Sequence, residues 1–251
     1  FAMGGLMYVS GDPALPPVNA PETQSYYFAS IYAALGALLA LWQRDEDGQG
    51  RAVDVSIQET IATQEHLLRT FATDGESIVR HGSQHEHVAP ANIFPVKDGY
   101  VYLFVTRTHW QRLLDFWPDH PPMFEEPAWF DNDFRRERLD EVNEIISAFT
   151  RNFARDELAH GLQKAGVPCL PVNTPLAFLK DEHLQARQLF QPVQHEALGD
   201  YVQTTFPLLV DGQREPAAPP PLLGQHTHDI LTTRLGLSPE EIELLFAQGV
   251  I

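Results

Sequence analysis

From Tyr26 to Trp42 the chain is almost unbroken in apolar residues. The Ala and Leu content of this run, with Gly36 inside it, predicts a helix buried on most sides. Polar residues return at Arg44-Asp45-Glu46-Asp47-Gly48-Gln49-Gly50. That turn stops the helix, with Gly48 and Gly50 supplying left-handed or tight backbone geometry. A period of two then takes over in Ala52-Val53-Asp54-Val55-Ser56-Ile57 and predicts a strand. Gln58 to Ala72 goes back to helical spacing. Helix, glycine turn, strand and helix make one unit of a layered α/β domain.

The remaining pattern is simpler. Asp12 to Thr23 is a loop, because Pro13, Pro16, Pro17 and Pro21 oppose regular structure. Asp74 to Pro95 reads as a polar loop. Lys97 to Val105 gives a turn and a period-two strand. His109 to Phe116 predicts a helix with Trp110, Leu113 and Leu114 inward. Asp131 to Phe153 predicts another, with Leu139, Val142, Ile145, Ile146 and Phe149 on its apolar face. Asp156 to Ala165 makes a third, shorter one.

Charge and cysteine count narrow the field. Thirty-four acidic residues against 17 basic ones leave a formal net charge of -17. Such a surface repels phosphate backbones and anionic lipid, so the reading expects no nucleic-acid or membrane partner. The single cysteine, Cys169, excludes an internal disulfide and fits a reducing compartment, here the cytoplasm. No secretory signal is expected. Tyr26–Trp42 sits at the short end of a spanning helix, ~17–25 residues, and its continuation into a βα unit favours a soluble core helix.

Candidate chemistry is sparse. His81, His85 and His87 form an H-x3-H-x-H cluster that suits either a metal or a solvated, substrate-facing loop; no metal is assigned. Cys169, in Pro168-Cys169-Leu170-Pro171, reads as a packed small residue. Gly4, Gly5 and Gly11 let backbone come close to a ligand. The acidic runs Asp45-Glu46-Asp47 and Glu240-Glu241 read as solvated faces.

Several blocks, in order, carry a resemblance. They are Tyr32-Ala33-Ala34-Leu35-Gly36, Arg44, Gly48, Gly50 and Val53-Asp54-Val55-Ser56, then Arg80-His81-Gly82-Ser83-Gln84-His85 with Ala89-Pro90 and Phe94. Gly166-Val167-Pro168-Cys169-Leu170-Pro171-Val172, Asp181-Glu182-His183-Leu184 with Ala186-Arg187, and Gln225-His226-Thr227 follow. Together they resemble the family III CoA-transferases, the CaiB/BaiF family. The resemblance implies an α/β fold: a large Rossmann-like domain, whose N-terminal part would lie outside these residues, and a small α+β domain. Residues 1–75 would belong to the large domain, 76–165 to the small one, and 166–251 to the return segment. It also implies a dimer of interlocked rings, or pairing with a related chain.

The implied activity moves CoA between an acyl-CoA thioester and a carboxylic acid through an enzyme carboxylate, with no tightly bound cofactor. Racemases and isomerases of the family use the same carboxylate for proton transfer. The family's nucleophile is an aspartate at the start of the organising helix. Counted back from Gly36, that position is Tyr26, and no aspartate lies between Asp12 and Asp45. A phenol cannot form the mixed anhydride and is a poor base at neutral pH. Glu22, four residues upstream, is the nearest carboxylate: either a relocated nucleophile or a first-turn acid at a helix N-terminus. A non-catalytic half of a paired transferase, or a CoA-ester binding protein without turnover, are the alternatives. Gly4, Gly5 and His85 are the candidate CoA contacts, with most adenine and phosphate contacts expected from outside these residues.

Overall fold

The apolar run folds as one long helix, α1 (Gln24–Asp47). The computed structural model describes residues 1–63, 72, 73, 75 and 78–251. Two compact units divide it, Phe1–Val172 and Asn173–Ile251.

In the first unit, α1 departs from expectation. It runs through Arg44 to Asp47, ending where Gly48 adopts φ 74° and donates its N–H to the Arg44 carbonyl at 2.7 Å. Gly50 is not left-handed. Burial on most sides is overturned: Ala29 alone is buried, while Ile31, Leu38 and Trp42 are each about two-thirds exposed. The physical reason is a shortage of neighbours: among the described residues the main packing on this helix comes from α2 (Ile57–Ala62) and from Val53 in the segment before it. By length and composition α1 could cross a bilayer, a test that core helices of soluble proteins also pass.

The strand expected over 52–57 does not form. Residues 51–56 have no ladder partner among the described residues, and Ser56, itself extended, instead caps α2, its hydroxyl accepting from Glu59 N–H at 3.2 Å. The helix expected over 58–72 is seen as α2; its continuation at 64–71 lies outside the described residues.

The rest of this unit is a closed module. Strands β1 (Ala91–Val96) and β2 (Gly99–Phe104) pair antiparallel around Lys97-Asp98, and β3 (Cys169–Pro171) pairs antiparallel on the other side of β2. β1 falls inside the stretch read as loop; it is a sheet edge, where Pro95 costs no ladder bond. Four helices cover the sheet: α3 (Arg107–Phe116), α4 (Asn132–Glu137), α5 (Leu139–Thr150) and α6 (Arg155–Lys164). The single helix expected over 131–153 is two, broken at Arg138 (φ −117°, ψ 36°).

Periodicity decides what they bury. Trp110, Leu113 and Leu114, then Val142, Ile146 and Phe149, then Leu158, Ala159 and Leu162 all face one core with Phe94, Val101, Leu103 and Cys169. Trp110 donates its indole N–H to the Phe124 carbonyl at 3.2 Å, so its one polar atom is satisfied. Trp117 stacks on Phe149 at 4.2 Å. The hairpin turn is tied in by Asp98, whose carboxylate accepts from Arg155 N–H at the start of α6 at 2.7 Å. Burial pushes the Cys169 thiol up to about 12, in keeping with a packed, unreactive residue.

The second unit holds two short helices, α7 (Pro175–Leu179) and α8 (Glu182–Ala186), the antiparallel hairpin β4 (Phe190–His195) and β5 (Gly199–Thr204), and two helices, α9 (Thr227–Leu235) and α10 (Pro239–Ala247). Ser238 opens α10 with a capping box to Glu241. Both sheets of the described residues are antiparallel, so the parallel, Rossmann-like part of the expectation is not seen among them.

Candidate active site

The N-terminal glycines belong to a series of tight turns. Gly5 (φ 90°) donates its N–H to Ala2 O at 3.2 Å and accepts from Tyr8 N–H at 3.1 Å. Gly4 is buried on α2: a Cβ there would stand 2.5 Å from Ile61 Cγ2, so only glycine fits. Gln58 of α2 donates its amide to Met3 O at 3.2 Å.

The basic loop docks on the same turns. Arg80 donates to the carbonyls of Asp12 and Tyr8, each at 3.2 Å, and Gly82 N–H donates to Gly11 O at 2.9 Å. Two stretches far apart in sequence, residues 8–12 and 80–82, are thereby held together.

His85 is half-buried. Its N–H donates to Ala91 O at 2.8 Å, tying the loop to β1, and its ring meets Phe104 edge-on at 5.2 Å. His85 Nδ1 accepts from the His87 backbone N–H at 3.1 Å. In the neutral ring that places the proton on Nε2. His81 and His87 are exposed, and among the described residues no group of three His, Cys, Asp or Glu is arranged to hold a metal ion.

Polar groups from the closed module grip this loop, and sequence reasoning missed them. Asn132 donates its amide to His87 O at 2.9 Å and accepts from Ala89 N–H at 3.2 Å. Asn143 donates to Gln84 Oε1 at 3.2 Å, and Gln84 donates in turn to the carbonyls of His85 and Val88. Arg135 is fully buried. It donates to Ala89 O at 2.5 Å and to Trp129 O, and its guanidinium lies 4.6 Å over the Trp110 ring. Burial pulls its pKa from 12.5 down to about 10, which still leaves it cationic at neutral pH. The available signal was Arg135 on the inward face of a short helix capped by Asp131, whose carboxylate accepts from Phe134 and Asp133 N–H and is held below its ordinary pKa.

Glu22 and Tyr26 stand elsewhere in the chain. Glu22 (φ 57°) is exposed and precedes the N-cap Thr23, so it is not a first-turn acid. Tyr26 lies in the first turn of α1 and is 59% exposed. Thr23 makes no side-chain cap bond; its carbonyl accepts from Tyr26 and Tyr27 N–H at 2.9 and 3.2 Å, which leaves the N–H groups of Gln24 and Ser25 without a partner among the described residues. Among the described residues no hydrogen bond joins Glu22 or Tyr26 to the glycine and histidine loops. Asp54 is exposed.

A mixed α/β chain with small antiparallel sheets, glycine turns and a docked basic loop is the class this geometry defines. The sequence signature of CoA-transferase family III matches residues 1–227, and the chain belongs to that family. A succinyl-CoA–D-citramalate CoA-transferase of Chloroflexus aurantiacus is 33% identical over 254 residues, covering all of this chain and 63% of that protein. A formyl-CoA:oxalate CoA-transferase of Streptomyces coelicolor is 26% identical over 268 residues, covering all of this chain and 65% of that protein. A crystal structure of a CaiB/BaiF family protein from Brucella suis matches with a TM-score of 0.79 over 94% of this chain and 61% of that one, at 22% identity, a likeness of fold. The chain therefore spans just under two thirds of the length of these relatives.

Proposed function

We propose that this chain is part of a cytoplasmic CoA-transferase that moves CoA between an acyl-CoA thioester and a carboxylic acid, with Glu22 as its nucleophile. The observation that carries the reading is the match to CoA-transferases along the whole chain, one of them at 33% identity. Glu22 attacks the thioester carbonyl, the C–S bond breaks, and a mixed anhydride and CoA thiolate form. The thiolate returns to the Glu22 acyl carbon, giving an enzyme thioester and releasing the first acid. The acceptor carboxylate repeats both steps in reverse and restores Glu22. No oxidant, reductant or metal enters the balance. Support for Glu22 comes from its exposure and from the unbonded N–H groups of Gln24 and Ser25 at the start of α1, which favour a negative charge nearby. Gly4, Gly5 and His85 are proposed to lie along the bound acyl-CoA.

The same reading takes residues 1–75 as part of the large domain, 76–165 as the small one and 166–251 as the return segment. It also takes the enzyme as a dimer or a pair of related chains, in which other polypeptide covers the exposed apolar side of α1. The test is covalent trapping. The full assembly is incubated with succinyl-CoA, quenched with hydroxylamine, and its modified carboxylates are mapped by mass spectrometry. Modification at Glu22 that disappears in Glu22→Gln is expected; modification only at another carboxylate removes Glu22 from the mechanism.

A further inference from the structure

His87 sits between two interactions that use the opposite ends of its own backbone. Its carbonyl accepts from Asn132 Nδ2 at 2.9 Å, and its N–H donates to His85 Nδ1 at 3.1 Å. Asn132 Oδ1 also accepts from Ala89 N–H, so one side-chain amide grips the loop on both sides of Val88. Asn132 is the first residue of α4, whose N-cap Asp131 makes two backbone bonds, and the buried Arg135 one turn on holds Ala89 O. The amide is therefore held on a capped helix beside a buried guanidinium that bonds the same loop.

We propose that Asn132 is a positioning residue for His85: by holding the His87 backbone it keeps the His87 N–H on His85 Nδ1, so that His85 presents Nε2–H as a hydrogen-bond donor to acyl-CoA. The proposal rests on the transferase reading above for the identity of the ligand, but not for the tautomer. A ring free to take either tautomer would offer the ligand a donor only part of the time. Locking Nδ1 as an acceptor removes that loss, as outer partners do for histidines that must present one nitrogen. No group is transferred in this step.

Two measurements test it on the full assembly. Nitrogen-15 histidine NMR of the unliganded protein is expected to show His85 with its proton on Nε2, and a mixture of tautomers in Asn132→Asp, which keeps the acceptor oxygen but loses the donor to His87. Finding the wild-type proton on Nδ1 overturns the proposal without any variant. Steady-state kinetics of CoA transfer is expected to show His85→Ala raising KM for acyl-CoA by about 10-fold, the size of one well-placed hydrogen bond, and Asn132→Asp raising it by a smaller factor set by the fraction of the Nε2–H tautomer lost, with kcat little changed in both. The double variant should be no worse than His85→Ala alone, because Asn132 acts only through the ring. Multiplying losses overturn the positioning role. Absence of any transfer by the wild type instead defeats the transferase reading, and the NMR result still decides whether Asn132 sets the tautomer.

Discussion

Two regions of the first unit use similar residues to opposite effect. In the module from β1 to β3, Trp110, Leu113, Ile146 and Leu162 are wholly buried around one another and the sheet. In α1, Ile31, Leu35, Leu38, Leu39 and Trp42 are all exposed by half or more. Both sequences are apolar enough to drive burial, at ~25 cal/mol per Å² of apolar surface removed from water. The difference is what the chain supplies as a partner. The module folds its helices back on its own hairpin, whereas among the described residues α1 is offered chiefly α2 and the segment at Val53. Apolar character states a demand, and only the tertiary arrangement shows whether it is met.

Substitutions can break this contrast or sharpen it. The largest effect is expected at the centre of the closed module, where Trp110→Ala removes a fully buried indole, its bond to Phe124 O and its seat under Arg135. A loss of about 3–5 kcal/mol in urea unfolding is expected, and a much smaller loss means the module is not a single core. A middle-sized effect belongs to the one tight seam of the open region. Gly4→Ala drives a methyl into Ile61 and should cost about 1–3 kcal/mol, read by the same denaturation; a neutral result would show the glycine turn lifting freely from α2. The smallest is expected on α1, where Leu38→Ala should change the stability of this chain by no more than about 0.5 kcal/mol. A loss as large as that at Trp110 would show that α1 is covered after all.

Legibility in the sequence divides along the same line. The faces of α3 and α5 were readable because their apolar residues recur at helical spacing and the chain nearby provides what they bury against. The strand at 52–57 had the right alternation but no neighbour to bond, and its Ser56 answered the stronger local demand of capping a helix. β1 was hidden by Pro95, which argues against a central strand but not against an edge one. Among the site residues, Gly4 and the Arg80–His85 stretch could be singled out from the family blocks. Asn132, Arg135 and Asn143 could not, because a polar residue on a short polar or an amphipathic helix reads as solvent-facing until its partner is seen. Glu22 was placed correctly near the start of α1 but one step too far in, because the chain turns through a left-handed conformation before the cap.

The order of the strands has a further consequence. The chain arrives in the module on β1 and leaves it on β3, and these two flank β2 in one three-stranded sheet. Everything between them, including the helices of the module, is an excursion whose entry and exit strands both lie against β2 in one sheet. Such a layout behaves like a cassette: segments within it can lengthen, shorten or be exchanged over generations while the points of attachment stay put. Variation in what the module presents along its rim, the Asn132 grip on the His85 loop included, can then be tried without rebuilding whatever holds its two ends.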